Sequence, residues 1–360
     1  MNSSKNTLNI DLNAIQANYR MFQTRSNCIV GASVKANCYG LGAKQILPTL
    51  HAAGCQDFFT ANCDEGIFAR KTLGPNANIY ILSGAFQETL SELRDYNLTP
   101  VLNHLDQLVL WQEYAKSSSK LSCVIHFDTG MNRLGVPKSD VIKFKEYFDG
   151  SLLDLKYIIS HLASAEEKHN PCNTRQLEQF QSLSEYFPTI KKSLCNSSGI
   201  FLGKEYHFDL LRPGAGLYGI NPAPYMEQSP VRNVVKLLSP IIQVRKIKSG
   251  QSIGYNSTYT AKKDSVIATI PIGYADGLPL PLSSNGSVFI NDTPAPIVGK
   301  ISMDLTTIDV SDVPEHKIFL GQQVEILGLN STIDKLANLS KTIAYEILTG
   351  LGNRFEKIYT

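Results

Sequence analysis

Between residues 28 and 211 the chain passes eight times from a short apolar run to a longer connection, most of them with helical spacing. The apolar runs fall at 28–34, 58–63, 78–82, 98–102, 121–127, 153–160, 191–195 and 207–211. Helical patterns occupy 13–22 before the first run, then 43–50, 64–72, 87–96, 105–114, 139–147 and 173–186 between later ones. Each connection is long enough for a crossover, so the runs predict parallel strands. Eight such units within about 200 residues predict a closed (β/α)8 barrel rather than an open sheet.

After Tyr218 the pattern changes. The proline-rich stretch NPAPYMEQSP, 221–230, leads into alternating runs at 234–244, 265–272, 287–290, 295–298, 305–310 and 323–327, with one helical stretch near 332–348. That predicts a mainly β carboxyl-terminal domain, and a boundary near Ser229 gives domains 1–228 and 229–360. A net charge of +2 offers nothing to nucleic acid or to an anionic membrane. The seven cysteines are scattered, without a C-x-x-C pair or a zinc-like spacing with histidines, and read as reduced thiols. With no signal-peptide core and no apolar segment of membrane length, the expectation is a soluble cytoplasmic protein.

A barrel concentrates chemistry at the carboxyl ends of its strands. That rule puts Lys35 after the first strand, Asp128 and Arg133 after the fifth, His161 after the sixth, Asn196, Ser197 and Ser198 after the seventh, and Arg212 and Gly214 after the eighth. Each residue alone has a plainer reading. Lys35 could snorkel to water, His161 could be a satisfied strand-end histidine, the arginines could form rim ion pairs, and Asn196 to Ser198 could cap a helix. Together they describe an opening that calls for an anion, and Lys35 in VKANCYGLG, beside Tyr39, Gly40 and Gly42, is a candidate Schiff-base lysine.

VKANCYGLG also resembles the lysine signature of alanine racemases, pyridoxal 5′-phosphate enzymes of fold type III. The resemblance continues in order through FDTGMNRLG (127–135), SHLASAEE (160–167), CNSSG (195–199), LRPGAGLYG (211–219), GYNSTYTA (254–261), IPIGYADGLP (270–279) and ISMDLTTIDV (301–310). It implies a barrel that carries the cofactor, a mainly β second domain, and a homodimer in which each site takes a tyrosine from the partner. It further implies conversion of L-alanine to D-alanine for peptidoglycan. Lys35 would bond the cofactor and serve one face of the α-carbon, and Tyr255 of the other subunit would serve the opposite face.

By the same resemblance, His161 and Arg212 form a relay behind Tyr255, whose phenol needs help because phenols ordinarily titrate near 10. Arg212 would face the pyridine nitrogen. Tyr39, Asn196, Ser197, Gly214, Ala215 and Tyr274 would surround the cofactor and its phosphate. Arg133 would hold the ring hydroxyl and the substrate carboxylate, with the Met303 N–H as a second carboxylate donor. No metal is implied.

Three positions depart from the family pattern, and Cys38, where a smaller residue is usual, reads as packing. His126 stands where many members have a carbamylated lysine that braces the arginine, and Asn353 stands where several have a tyrosine. A serine or broad-specificity racemase, a pyridoxal phosphate-binding module without turnover, and a decarboxylase on the same barrel remain as alternatives. A mere binder has no need of a second-face base, and the decarboxylase's thiol-bearing and acidic motifs are not evident.

Overall fold

The computed structural model describes residues 5–117 and 120–360, and the chain divides into two compact units. The larger, Ile15–Arg232, is the barrel. Among the described residues its strands are Ile29–Val30 continued by Ala32–Ser33, then Asp57–Thr60, Asn78–Ile81, Thr99–Leu102, Leu121–His126, Leu153–Ile159, Lys191–Ser193 and Leu210–Leu211. All neighbours run parallel, from Ala32 opposite Phe58 round to Ile159 opposite Ser193. The last strand closes the ring. Asp209 N–H donates to Lys192 and Arg212 N–H to Cys195, both at 3.0 Å, while Leu210 and Leu211 lie opposite Ile29 and Val30.

The barrel interior is filled by inward residues of successive strands: Phe59, Tyr80, Val101, Val124, Tyr157, Ile159 and Leu210, all buried. Phe59 and Tyr80 stack with ring centres 4.7 Å apart, and the Arg212 guanidinium lies 5.8 Å from the centre of the Phe59 ring. The core therefore ends, on the carboxyl side, against a cation.

Helices end where the local chemistry predicts. Asn62 Oδ1 accepts Glu65 N–H at 3.0 Å to start Cys63–Leu73. Asn170 caps Pro171–Ser184, whose proline occupies the first turn, where a missing N–H does no harm. The seventh connection is two short 3₁₀ turns, Gly199–Phe201 and Lys204–Tyr206, instead of a full helix.

The second unit comprises the residues up to Ala14 together with Asn233–Thr360. The amino-terminal strand Thr7–Ile10, which a boundary near Ser229 alone would assign to the barrel domain, is a member of this unit's sheet. It lies antiparallel to Val235–Pro240 and parallel to Glu356–Tyr359. Hydrogen bonding on both edges, together with the full burial of Leu8 and Ile10, holds it there. The run at 234–244 splits into Val235–Pro240 and Gln243–Ile247, and the helical stretch near 332–348 into Ile333–Leu339 and Ala344–Gly350. Lys341, at φ +55°, breaks the latter.

No described helix is long and apolar enough to cross a membrane. The seven cysteines are free thiols, five of them buried.

Candidate active site

The chain leaves the first barrel strand at Ser33 and reaches Lys35 two residues later. Ala36, Asn37, Cys38 and Tyr39 then all have φ between +53° and +55°. This is one turn of left-handed helix made without glycine, a conformation that costs an L-residue about 1–2 kcal/mol each. Gly40, at φ +84°, closes it by donating to Ala36 at 2.7 Å. Asn37 Oδ1 accepts the Ala43 N–H at 2.7 Å and so starts the helix Ala43–Ala52. Glu65 grips the turn from outside, with Oε1 on Ala36 N–H at 2.7 Å and Oε2 on Ala61 N–H at 2.8 Å.

The turn delivers Tyr39 into a buried cluster, its ring 4.6 Å from that of Tyr218. A β-carbon on Gly214 would lie 2.4 Å from Tyr39 Oη, so glycine is required for the close approach. Ser197 Oγ accepts the N–H groups of Gly214 at 2.9 Å and Gly216 at 3.1 Å. With both its accepting directions used, the Ser197 hydroxyl keeps its own proton to donate. The Ala215 N–H, at the head of the buried turn Ala215–Tyr218, has no acceptor among the described residues. Tyr39, Ser197, Gly214 and Ala215 thus pack into a close-set cradle that leaves the Ser197 hydroxyl proton and the Ala215 N–H to donate.

Arg212 is 7% exposed and pairs with no carboxylate among the described residues. Its guanidinium donates to Ser193 Oγ and to the Ser160 carbonyl, at the ends of the seventh and sixth strands. Burial pushes its pKa down to about 10, which leaves it charged at neutral pH. His161 is held well below the usual histidine range by burial and then by the fields of Arg212, Arg133 and Lys35, so its ring is neutral. Gln176 locks the His161 backbone, donating to its carbonyl at 2.9 Å and accepting the Ala163 N–H at 2.8 Å.

His126 ends the fifth strand with Nδ1 2.8 Å from Asn103 Oδ1. Burial and Arg212 press its pKa down to about 4. A neutral ring beside an amide oxygen donates from Nδ1, which leaves Nε2 as an acceptor. Arg133 follows in a loop folded around Asp128, whose Oδ1 accepts the N–H groups of Gly130, Met131 and Asn132 at 2.9, 3.0 and 3.2 Å. The Arg133 side chain is exposed and has no hydrogen bond or ion pair to a described residue. Asn196 serves partly as a cap, its Oδ1 accepting Gly199 N–H at 2.9 Å.

The Lys35 ammonium is disfavoured, first by burial and then by Arg133, with Glu65 acting in the other direction. Lys35, His161, His126 and Arg212 are therefore desolvated together, with the exposed Arg133 beside them, while Asp128 and Glu65, the carboxylates that act on His126 and Lys35, are occupied by backbone N–H groups. The charge balance asks for a bound anion, and the donor cradle has the form that a phosphate fits.

In the second unit, Tyr255 follows Gly254 in a tight turn and is 69% exposed. Tyr274 N–H donates to Ser302 at 3.1 Å and Ala275 N–H to Met303 at 3.0 Å, so Tyr274 and Met303 are neighbours. A β-carbon on Gly254 would lie 3.3 Å from Lys300 N, so the turn that carries Tyr255 packs on the segment that leads to Met303. Met303 and Tyr274 are 53% and 43% exposed, and the Met303 N–H has no acceptor among the described residues. Arg354 ties this edge together, bonding Asp276 and Asp304 at 2.7 Å each, and Asn353 beside it is exposed.

Comparison with known proteins shows the family of the chain. The family model described as alanine racemase, N-terminal domain, matches residues 10–222, and that for the alanine racemase C-terminal domain matches 234–359. The chain belongs to the alanine racemase family. It is 51% identical over 338 residues to the alanine racemase of Rickettsia bellii (strain RML369-C), covering 93% of this chain and 82% of that one. It is 49% identical over 358 residues to that of Rickettsia africae (strain ESF-5), covering 98% of both. Among solved structures, the Bartonella henselae alanine racemase with covalently bound pyridoxal phosphate superposes with a TM-score of 0.95 at 37% identity, over 99% of this chain and 100% of that one. The biosynthetic alanine racemase of Pseudomonas aeruginosa gives 0.91 at 29% identity, over the same shares.

Within this racemase-family barrel, the structure brings Lys35, Tyr39, Ser197, Gly214, Ala215, His161 and Arg212 to one end, with Asn196 and Arg133 on the same loops. Four supporting residues carry no sequence signal of their own. Glu65 looks like an ordinary first-turn acid, Asn103 like a loop residue, and Ser160 and Ser193 like strand termini. Only the tertiary fold shows that they hold Ala36, His126 and Arg212.

Proposed function

We propose that this chain interconverts L-alanine and D-alanine with pyridoxal 5′-phosphate, exchanging the α-proton through two bases, Lys35 Nζ on one face and Tyr255 Oη on the other. Family membership over the whole length supports the reaction and the cofactor. The observation that carries the residue assignment is the paired arrangement of a desolvated Lys35 and a donor cradle built on Tyr39, Ser197, Gly214 and Ala215. Joined to the substrate amine, the cofactor supplies an electron sink that lets the α-proton leave.

The remaining work belongs to the chain. The cradle would hold the phosphate through Tyr39 Oη, Ser197 Oγ and the Ala215 N–H, with Asn196 and, from a second copy of the chain, Tyr274 at its margins. Burial and the neighbouring Arg133 keep Lys35 more readily neutral than a free lysine, which suits an amine that must both bond a carbonyl and take up a proton. Arg212, fixed by Ser160 and Ser193, would hold the pyridine side of the cofactor with a cation, which cannot give that ring nitrogen a proton as an acidic partner would. A cation at Arg212 would thereby moderate the sink and favour return of the α-proton over transamination. The neutral His161 is suited to hydrogen-bond the phenol of Tyr255 from a second copy of the chain and pass its proton toward solvent. Arg133 and the Met303 N–H would hold the substrate carboxylate.

Tyr255, Tyr274, Met303 and Leu305 are all exposed, an apolar edge that favours docking against a second copy of the chain. In that homodimer the partner's Tyr255 completes each site. Free, mostly buried thiols favour a reducing, cytoplasmic setting, where the D-alanine would enter peptidoglycan.

Incubating the purified, cofactor-loaded protein with L-alanine and, separately, L-serine in deuterium oxide tests the assignment. Inversion of alanine with α-deuterium incorporation is expected. Inversion of serine at an equal or higher kcat/KM would favour the broader racemase, and exchange of neither would sink the reading.

A further inference from the structure

Glu65 stands in the first turn of the helix Cys63–Leu73, where an acidic side chain ordinarily complements the helix N-terminus. Asn62 already caps that helix, and the Glu65 carboxylate is turned to other donors. Oε1 takes the N–H of Ala36 at 2.7 Å and Oε2 the N–H of Ala61 at 2.8 Å. Ala61 directly follows the second barrel strand, Asp57–Thr60, and Ala36 directly follows Lys35. One carboxylate therefore staples the exit of the first strand to the exit of the second.

The stapled point is the first residue of the left-handed turn 36–39. Four successive non-glycine residues in that region persist only where their surroundings over-determine them. Several hydrogen bonds on the turn stay inside the segment 34–43: the N–H groups of Cys38, Gly40, Leu41 and Gly42 donate to the carbonyls of Val34, Ala36, Cys38 and Asn37, and the Ala43 N–H donates to Asn37 Oδ1. Glu65 acts on Ala36 from the next βα unit. It is also the anionic neighbour of Lys35, opposing Arg133, with His161 as the remaining titratable group whose field Lys35 shares.

We infer that Glu65 is a positioning residue for Lys35: its two-oxygen grip on Ala36 and Ala61 sets the direction in which Lys35 leaves the strand and thereby its bond to the cofactor. The inference rests on Lys35 being the cofactor lysine. Glu65→Ala removes both acceptors and the charge, whereas Glu65→Gln retains one acceptor oxygen and removes the charge.

The test measures Glu65→Ala, Glu65→Gln and Lys35→Ala beside the unaltered chain. Amide hydrogen exchange at Ala36 and Ala61 in the unliganded protein is expected to quicken about tenfold or more in Glu65→Ala and less in Glu65→Gln, since a lost acceptor opens the turn. Half-saturation with pyridoxal phosphate, followed by its visible absorbance, is expected to rise about tenfold in Glu65→Ala, with partial rescue by glutamine. Acylation of Lys35 in the unliganded protein, followed by mass spectrometry against pH, is expected to move to lower pH in Glu65→Gln. Below the midpoint this makes the amine about threefold more reactive, because the carboxylate that favours the ammonium is gone.

Unchanged exchange at Ala36 together with unchanged half-saturation in Glu65→Gln and Glu65→Ala overturns the inference, and if Glu65→Ala does not fold, Glu65→Gln alone decides. Lys35→Ala keeps the two questions apart. If that variant still acquires the absorbance of covalently bound cofactor, the assignment of Lys35 fails whatever the Glu65 variants do.

Discussion

Replacing Gly214 by alanine adds one methyl group at the narrowest point of the proposed phosphate cradle. The new β-carbon would lie 2.4 Å from Tyr39 Oη, 3.1 Å from Ser33 Cβ and 3.2 Å from Tyr39 Cζ. Tyr39 has little room to retreat, since its buried ring lies 4.6 Å from that of Tyr218, and Tyr218 is itself fixed by donating to the Ser33 carbonyl at 2.9 Å. Overpacking of this kind costs about 1–3 kcal/mol. If relief comes by pushing the Tyr39 hydroxyl out of the cradle, cofactor affinity should fall by about 5- to 150-fold. Titration of the unliganded protein with pyridoxal phosphate, read by absorbance, measures the loss, and thermal unfolding of the unliganded protein measures any part that appears as stability.

The double variant isolates the cause. In a Tyr39→Phe background the 2.4 Å contact no longer exists, so Gly214→Ala should cost far less, with a coupling of about 1 kcal/mol or more between the two changes. Gly214→Ala with unaltered affinity, or with the same cost in both backgrounds, would refute the steric reasoning.

Other consequences concern stability and assembly. His126 has a folded pKa of about 4, against about 6.5 for a free histidine, so between those values the unfolded chain binds the extra proton. Its contribution is present above pH 6.5 and is lost as pH falls toward 4, amounting to about 2 kcal/mol between pH 7 and pH 5. Urea unfolding of the unliganded His126→Asn variant should show a correspondingly flatter pH dependence, and an unchanged slope would contradict the buried neutral ring. Ser197→Ala strips the acceptor from two buried N–H groups, Gly214 and Gly216, and should destabilise the barrel by about 2 kcal/mol while weakening cofactor binding. Lys35→Ala and Tyr255→Phe should each be nearly inactive alone. Refolded together, they should regain about a quarter of normal activity if Tyr255 acts across the dimer, and none if it acts within its own chain.

The barrel was legible because its signal is local and repeated. Each apolar run and each crossover announces itself within a dozen residues, and the rim residues follow once the strand ends are known. What stayed hidden depends on pairing across long sequence separations or on backbone that no residue type demands. Thr7–Ile10 looks like any short alternating run until Val235–Pro240 and Glu356–Tyr359 flank it. The turn after Lys35 was expected from its glycines, yet the left-handed conformation falls on Ala36, Asn37, Cys38 and Tyr39, which no propensity scale would choose. Arg212 and His126 were visible as charges, but their state depends on Ser160, Ser193 and Asn103, brought from other strands.

The departure at His126 also takes a definite form. Where relatives are expected to brace the arginine with an anionic side chain, this chain has a neutral imidazole fixed by Asn103, beside an Arg133 that has no hydrogen-bonded partner among the described residues. That arrangement agrees with the role proposed for Arg133, to take the substrate carboxylate.

The two-base assignment is tested most directly by following α-deuterium exchange in deuterium oxide from each enantiomer of alanine with the Tyr255→Phe variant. Loss of the phenol should suppress exchange from L-alanine far more than from D-alanine, whose proton Lys35 still removes. Equal loss from both enantiomers would contradict a separate base for each face.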